Sequence, residues 1–115
     1  MRLLKPRVTL AAVGVLLIVA TLYTRVAVRA DQALPVQIVM KDCKFMPMAL
    51  TVETGTTVMW ANKDDEPHTV VSEAGLFRSG TIDTYGTFSF RFDRPGTYHF
   101  VCSTHPQMVG TVVVQ

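Results

Sequence analysis

Near its C-terminal end the chain reads Tyr98-His99-Phe100-Val101-Cys102-Ser103-Thr104-His105-Pro106-Gln107-Met108. The last part of this stretch carries a thiol, an imidazole and a thioether at the spacing Cys-x2-His-x2-Met. These are soft or borderline ligands, which suit copper better than magnesium or calcium. The stretch therefore predicts a copper site just after an alternating apolar strand.

A copper site with a trigonal plane of two histidines and one cysteine, and a weak axial methionine, needs a second imidazole. The chain has three histidines. If Phe100 and Cys102 point inward on the predicted strand, His99 points outward. His68 instead opens an apolar run, as expected of a ligand held at a strand end. The predicted metal ligands are therefore His68, Cys102 and His105 in the plane, with Met108 on the axis.

Each of these side chains also has an ordinary structural explanation. A single cysteine is usually a small core residue, and a single methionine usually fills a gap in the core. The chain has two cysteines, and if it is exported, a Cys43–Cys102 disulfide is the main alternative. That alternative predicts a metal-free structural β-sandwich, but it leaves the spacing of His105 and Met108 unexplained.

The N-terminal 30 residues differ in composition from the rest of the chain. They contain five basic and no acidic residues, and residues 8–24 are almost entirely apolar or small. This pattern is typical of a signal peptide, and we expect cleavage after Ala30. The alternative is that residues 8–24 stay in place as a membrane anchor, although 17 residues is short for a span. We therefore expect residues 1–30 to be a signal or anchor segment and residues 31–115 to form one domain.

The charge of the expected mature domain excludes one class of function. Residues 31–115 contain six Lys or Arg and nine Asp or Glu, so this part has a net charge of −3. It has no basic stripe, and nucleic-acid binding therefore has no electrostatic support.

The pattern of residues 36–114 predicts an all-β fold. Apolar side chains alternate with polar ones in several short runs, most clearly at Phe88, Phe90 and Phe92. Glycine and proline turns separate these runs, and no segment after Ala30 has helical periodicity. We expect a β-bulge near residues 40–42 that keeps Cys43 inward and buried, and a short strand over residues 69–71. Many short strands with such turns indicate a sandwich or barrel.

Two motifs resemble the cupredoxins, the small blue-copper proteins. The first is Phe45-x-Pro47-x2-Leu50-x-Val52-x2-Gly55-x2-Val58-x-Trp60-x-Asn62, and the second is Pro95-Gly96-Thr97-Tyr98-x-Phe100-x-Cys102. The short Cys-x2-His-x2-Met loop is most similar to that of the amicyanin and pseudoazurin subfamilies. Thr69 departs from the pattern, because amicyanin carries Asn after the first histidine.

The resemblance implies an eight-stranded Greek-key β-sandwich that transfers single electrons between larger redox proteins. We expect these donor and acceptor proteins to dock near His105, with Pro67, Pro106 and Met46 or Met48 as an apolar rim. We also expect a monomer that is exported to the periplasm. A copper storage or delivery protein is an alternative function. An enzyme is not expected, because protein side chains fill all four ligand positions.

Overall fold

Eight strands make up the domain in this computed structural model, which describes residues 2–4 and 34–115. Their bounds in chain order are β1 Val36–Lys41, β2 Lys44–Met46, β3 Ala49–Val52, β4 Thr56–Asn62, β5 Val71–Ser72, β6 Thr87–Phe92, β7 Gly96–Cys102 and β8 His105–Val114. The predicted eight-stranded β-sandwich is confirmed. The predicted signal or anchor segment lies outside the described residues, apart from residues 2–4. No helix suited to crossing a membrane occurs in the described part of the chain.

The strands form two four-stranded sheets. The first has the order β2-β1-β4-β6 and the second β3-β8-β7-β5. β1 pairs in parallel with β4, and β3 in parallel with β8, whereas the other pairs are antiparallel. The chain changes sheet between β2 and β3, at Pro47, which has no N–H group to donate to a ladder.

Alternating apolar side chains from both sheets fill the space between them. Trp60 of β4 and Phe100 of β7 are fully buried, and their ring centroids lie 5.3 Å apart in an edge-to-face contact. Phe45 of β2 packs against Phe100 from another side, at 4.8 Å. A side chain at Gly110 would run into the Phe100 ring, so this glycine makes room for the central aromatic residue. The core thus fixes β7 firmly and, with it, Cys102 at its end.

Two local expectations were wrong. The predicted β-bulge is a tight turn, because Asp42 and Cys43 both have φ near +53° and Lys41 pairs directly with Lys44. Positive φ at both central residues characterises the hairpin turn that matches strand twist. The turn points Cys43 outward, so its side chain is exposed rather than buried. The strand expected over residues 69–71 is only Val71–Ser72.

Candidate metal centre

The candidate site lies where β7 turns into β8 and where the segment after β4 approaches them. Cys102 ends β7 and His105 begins β8, so the sheet fixes both of their backbones. His68 is in the segment between β4 and β5, where its backbone exchanges two hydrogen bonds with Ile82 at 3.1 and 2.8 Å. The three residues thus come from two segments more than 30 positions apart in the sequence.

The structure brings three of the four predicted ligands together. Their donor atoms all lie within 4.8 Å of one another. Cys102 Sγ is 3.8 Å from His68 Nδ1 and 3.7 Å from His105 Nδ1. One thiol and two imidazole nitrogens of this kind match the planar donors of a copper site, so the residues present fit that metal.

Met108 is buried, with 3% of its surface exposed. It lies in β8 next to Val109, which pairs with Val101, the neighbour of Cys102. Its backbone is therefore close to the end of β7. Its assignment as the axial ligand remains a prediction. His99 is exposed and its ring contacts the Thr111 hydroxyl at 3.0 Å, as strand alternation predicted.

Asp64 holds His68 from the side away from the thiol. Its Oδ2 is 2.7 Å from His68 Nε2, and both side chains are buried. Asp64 also accepts hydrogen bonds from the backbone N–H groups of Asp42 at 2.8 Å and Cys43 at 3.0 Å. This carboxylate therefore fixes the ring orientation that leaves Nδ1 facing Cys102.

These contacts move the pKa values of both partners. Burial raises the pKa of Asp64, but the hydrogen bonds from the Cys43 N–H and His68 outweigh it and lower the pKa below its usual value. Burial lowers the pKa of His68, but the bonds to Asp64 and Cys102 outweigh it and raise the pKa. Both shifts favour a tightly associated pair.

Asn62 shapes the segment that carries Asp64 and His68. It is fully buried at the end of β4. Its side-chain oxygen accepts from the Asp64 N–H at 2.9 Å, and its amide donates to the carbonyls of Glu66 at 2.8 Å and Ile82 at 3.0 Å. One side chain thus ties three parts of the fold together directly beneath the site.

The Cys102 sulfur is surrounded by hydrogen-bond donors. The Thr69 N–H lies at 3.4 Å, and the hydroxyls of Thr69 and Thr104 lie at 3.7 and 3.3 Å. Burial raises the pKa of Cys102, but Thr104, the Thr69 N–H and His105 outweigh it and lower the pKa to about 5. The thiolate, which is the form that binds metal, is therefore favoured at neutral pH.

Thr69 also links the two segments of the site. Its Oγ1 accepts a hydrogen bond from the Ser103 N–H at 2.8 Å and lies 2.8 Å from the Ser103 hydroxyl. Threonine therefore ties the first histidine's segment to the ligand loop, and the departure from Asn at this position does not remove the connection.

Both cysteines are free thiols, Cys43 exposed and Cys102 buried. The disulfide alternative is therefore wrong. Slight shielding from water and the nearby charges of Glu66 and Asp64 raise the pKa of Cys43. The two thiols thus differ in both exposure and ionisation.

Sequence reasoning missed Asp64 and Glu66 as parts of the site. Three consecutive acidic residues, Asp64-Asp65-Glu66, are typical of a solvated surface loop. Instead, Asp64 is buried against His68, and Glu66 Oε2 lies 3.4 Å from His105 Nε2. The only local signal was the position of Asp64 two residues after Asn62, a spacing at which an amide side chain can bond the backbone.

Comparison with known proteins agrees with this geometry. The family described as "Cupredoxin-like domain" matches residues 10–114. Amicyanin-alpha of Methylorubrum extorquens is 30% identical over 94 residues, which span 77% of this chain and 79% of the relative.

Solved structures show the same fold. A purple cupredoxin from Nitrosopumilus maritimus has a TM-score of 0.65 and 33% identity, over 70% of this chain and 99% of that one. A mutant of amicyanin in its Cu(I) form has a TM-score of 0.68 and 27% identity, over 76% of this chain and 90% of that one. A copper-containing nitrite reductase from Thermus scotoductus is also similar, with a TM-score of 0.67 and 29% identity, over 71% of this chain but only 22% of the enzyme.

Proposed function

The chain belongs to the cupredoxin-like domain family, and from this premise we propose that it carries single electrons at a mononuclear copper site. The observation that carries the proposal is the convergence of Cys102, His68 and His105, whose donor atoms lie within 4.8 Å of one another. We assign these three residues as the planar ligands and Met108 as the axial one. Copper supplies a one-electron couple between Cu(I) and Cu(II) when it is bound by such a set.

The protein's part is to hold the ligands still while the charge of the site changes. Asp64 fixes the His68 ring through a 2.7 Å contact, and the β7–β8 pairing fixes Cys102 and His105. Hydrogen-bond donors around Cys102 stabilise the negative charge of its thiolate. Ligands that are held in this way limit the movement that accompanies electron transfer.

Electrons reach the site most directly at His105. Its side chain is 34% exposed, whereas His68 is 1% exposed and Cys102 fully buried. We propose that donor and acceptor proteins dock over His105. Pro67, Pro106, Met46 and Met48 are exposed, as an apolar docking rim requires.

A carrier is favoured over an enzyme because four protein ligands leave no coordination position for a substrate. The similarity to nitrite reductase covers a single domain-sized part of that enzyme and does not extend to the rest of it. The N-terminal sequence pattern supports export to the periplasm, with residues 8–24 as the alternative anchor. We propose that the exported domain acts as a monomer.

Adding Cu(II) to the metal-free protein tests this function. We expect an intense visible band from thiolate-to-copper charge transfer, one copper per chain, and reversible bleaching by a one-electron reductant. The Cys102→Ser variant should lack the band, because it lacks the thiolate. A wild-type protein that takes up copper and stays colourless would contradict the assignment.

A copper delivery protein is the second candidate, because the site is open at His105. The same sample distinguishes the two functions. A carrier keeps its copper through repeated oxidation and reduction in the presence of a moderate chelator. Loss of the metal in the first reduced cycle would favour delivery.

A further inference from the structure

Two more ligand-type side chains, Cys43 and Glu66, meet His105 just outside the candidate copper site. Cys43 Sγ, a carboxylate oxygen of Glu66 and a ring nitrogen of His105 lie within 4.8 Å of one another. Glu66 Oε2 is 4.0 Å from Cys43 Sγ and 3.4 Å from His105 Nε2. The three residues come from the β1–β2 turn, the segment after β4 and the start of β8. We call Cys43, Glu66 and His105 the outer cluster.

The outer cluster is open to solvent. Cys43 is exposed, and the side chains of Glu66 and His105 are 59% and 34% exposed. Within the described residues, no lysine or arginine forms a salt bridge with Glu66. A cation arriving from solution therefore meets a thiol, a carboxylate and an imidazole without any change of fold.

His105 belongs to both sets of ligands through different ring atoms. Its Nδ1 is 3.7 Å from Cys102 Sγ, whereas its Nε2 faces Glu66. A neutral imidazole has one nitrogen with a free lone pair, because the other carries the proton. Neutral His105 can thus serve the outer cluster or the inner site, but not both at once.

The second group near Cys43 is a weaker candidate. Asp64 and His68 also lie within 4.8 Å of Cys43 as ligand atoms. However, Asp64 is buried, and hydrogen bonds from Asp42, Cys43 and His68 already occupy its oxygens. The outer cluster has lone pairs available to a metal ion, whereas those of Asp64 are already used.

We propose that the outer cluster is an entry site that captures Cu(I) in the metal-free protein and hands it to the inner site through His105. A soft thiolate with an imidazole suits Cu(I). Cys43 loses its thiol proton when it binds the ion and regains one on release, while Cys102 gives up its proton or is already a thiolate. His105 changes its donor from Nε2 to Nδ1, and its single ring proton moves to the freed nitrogen through water. The ion remains Cu(I), so no oxidant or reductant is needed.

This inference rests on the proposed function only for the destination of the copper. Capture itself can be tested without the inner site, in the full-length Cys102→Ser chain. Under oxygen-free conditions we expect this variant to take one Cu(I) from the complex with bicinchoninate. Adding Cys43→Ser to the same chain should weaken the binding by at least about tenfold, or roughly 1.4 kcal/mol.

Loading of the wild-type protein is the second measurement. Transfer from the same Cu(I) complex is followed by the loss of the complex's colour. The Cys43→Ser and Glu66→Gln variants should load several-fold more slowly, with an unchanged final occupancy. Asp65→Asn is the matched control, because it removes a neighbouring exposed acid outside the outer cluster. Circular dichroism of each variant checks that the sandwich is intact.

Three results would overturn the entry site. The first is that Cys102→Ser and the double variant bind Cu(I) equally well. The second is that capture occurs only in dimers, which share one ion between two Cys43 thiols. The third is that Cys43→Ser loads at the wild-type rate. Failure of the proposed carrier function would look different. In that case the wild-type protein would show no blue band with Cu(II), although Cys102→Ser still captured Cu(I).

Discussion

His68 and His105 both direct Nδ1 towards Cys102, at 3.8 and 3.7 Å, but their surroundings are opposite. His68 is 1% exposed and its other nitrogen contacts the buried Asp64 at 2.7 Å. His105 is 34% exposed and its other nitrogen faces the exposed Glu66 at 3.4 Å. The segment 62–69 is thus the fixed side of the site, and residues 103–108 are the open side.

The difference separates two requirements of an electron carrier. The fixed side keeps one proposed ligand, His68, in place when the charge changes, since its contact with Asp64 is buried and charge-assisted. The open side brings another proposed ligand, His105, to the surface, where a redox protein can approach it. If this division is correct, substitutions on the fixed side should damage metal binding and stability. Substitutions on the open side should mainly adjust the reduction potential.

The largest effect is expected from His68→Ala, which removes the proposed ligand of the fixed side. We expect the blue band to disappear or to change its position and intensity strongly. The matched control is His99→Ala, because His99 is exposed and contacts only Thr111 by its ring. Visible spectra of both copper-loaded proteins provide the measurement. Loss of the band in His99→Ala and its survival in His68→Ala would reverse the assignment.

Asp64→Ala should have the next largest effect, because it leaves two backbone N–H groups and the His68 ring without their acceptor. An unpaired buried donor costs about 1–3 kcal/mol, and of these three donors the His68 ring is buried whereas the two N–H groups are part-buried. We therefore expect the free energy of unfolding of the metal-free protein to fall by about 2–3 kcal/mol, and copper affinity to fall by about 10–100-fold.

Urea unfolding and copper competition measure the two quantities. Asp65→Ala, an exposed neighbour, is the control and should stay within about 0.5 kcal/mol of the wild-type protein. Equal losses in the two variants would mean that the acidic segment is merely solvated, and that the fixed side is not held by Asp64.

Thr69→Val tests the link between the two sides. It removes the hydroxyl 3.7 Å from Cys102 Sγ and the acceptor of the Ser103 N–H. In the wild-type protein the positive end of the Thr69 O–H dipole points towards the sulfur and favours the reduced state. Its loss in Thr69→Val should therefore lower the reduction potential. Thr69→Ser retains the hydroxyl and should stay closer to the wild-type value. Voltammetry measures all three proteins, and a higher potential in Thr69→Val would contradict this role.

Glu66→Gln should have the smallest effect, since its contact with His105 is exposed. A negative charge opposes the arrival of an electron, so its removal should raise the reduction potential slightly. The shift should shrink as salt is added, because the Debye length falls from about 10 Å at 0.1 M to about 3 Å at 1 M ionic strength. Asp65→Asn shows how far the reduction potential shifts when a neighbouring acidic charge is removed. A large, salt-independent shift would place Glu66 among the buried contacts of the fixed side.

Local sequence patterns were sufficient for the open side and for the architecture. The ligand loop spans seven residues, so Cys102, His105 and Met108 could be related by spacing alone. Alternation along β7 correctly placed His99 outside, and the alternating phenylalanines of β6 correctly predicted a strand. These features depend on neighbours in the sequence, which periodicity describes well.

The fixed side could not be predicted in the same way. Asp64 meets Asp42 and Cys43 across 21–22 positions, through strands whose register is not visible in a hydropathy pattern. The turn that exposes Cys43 has two residues with positive φ but lacks the Asn-Gly signal of such turns. The alternation of apolar residues therefore predicted a bulge, and this prediction placed Cys43 inside the fold rather than on its surface.

The position of β8 has a consequence for the order of events during synthesis. β8 is made after the other seven described strands, yet it lies between β3 and β7, and among the strands that the structure describes it alone pairs with β3. β3 therefore stays unpaired until residues 105–114 have been synthesised and can fold. The same ten residues bring His105 and Met108, so a growing chain that lacks them has neither a closed second sheet nor the complete set of proposed ligands. Copper binding at the proposed site is thereby postponed until residues 105–114 are available, and a chain cut short before β8 is recognisable by its open sheet edge.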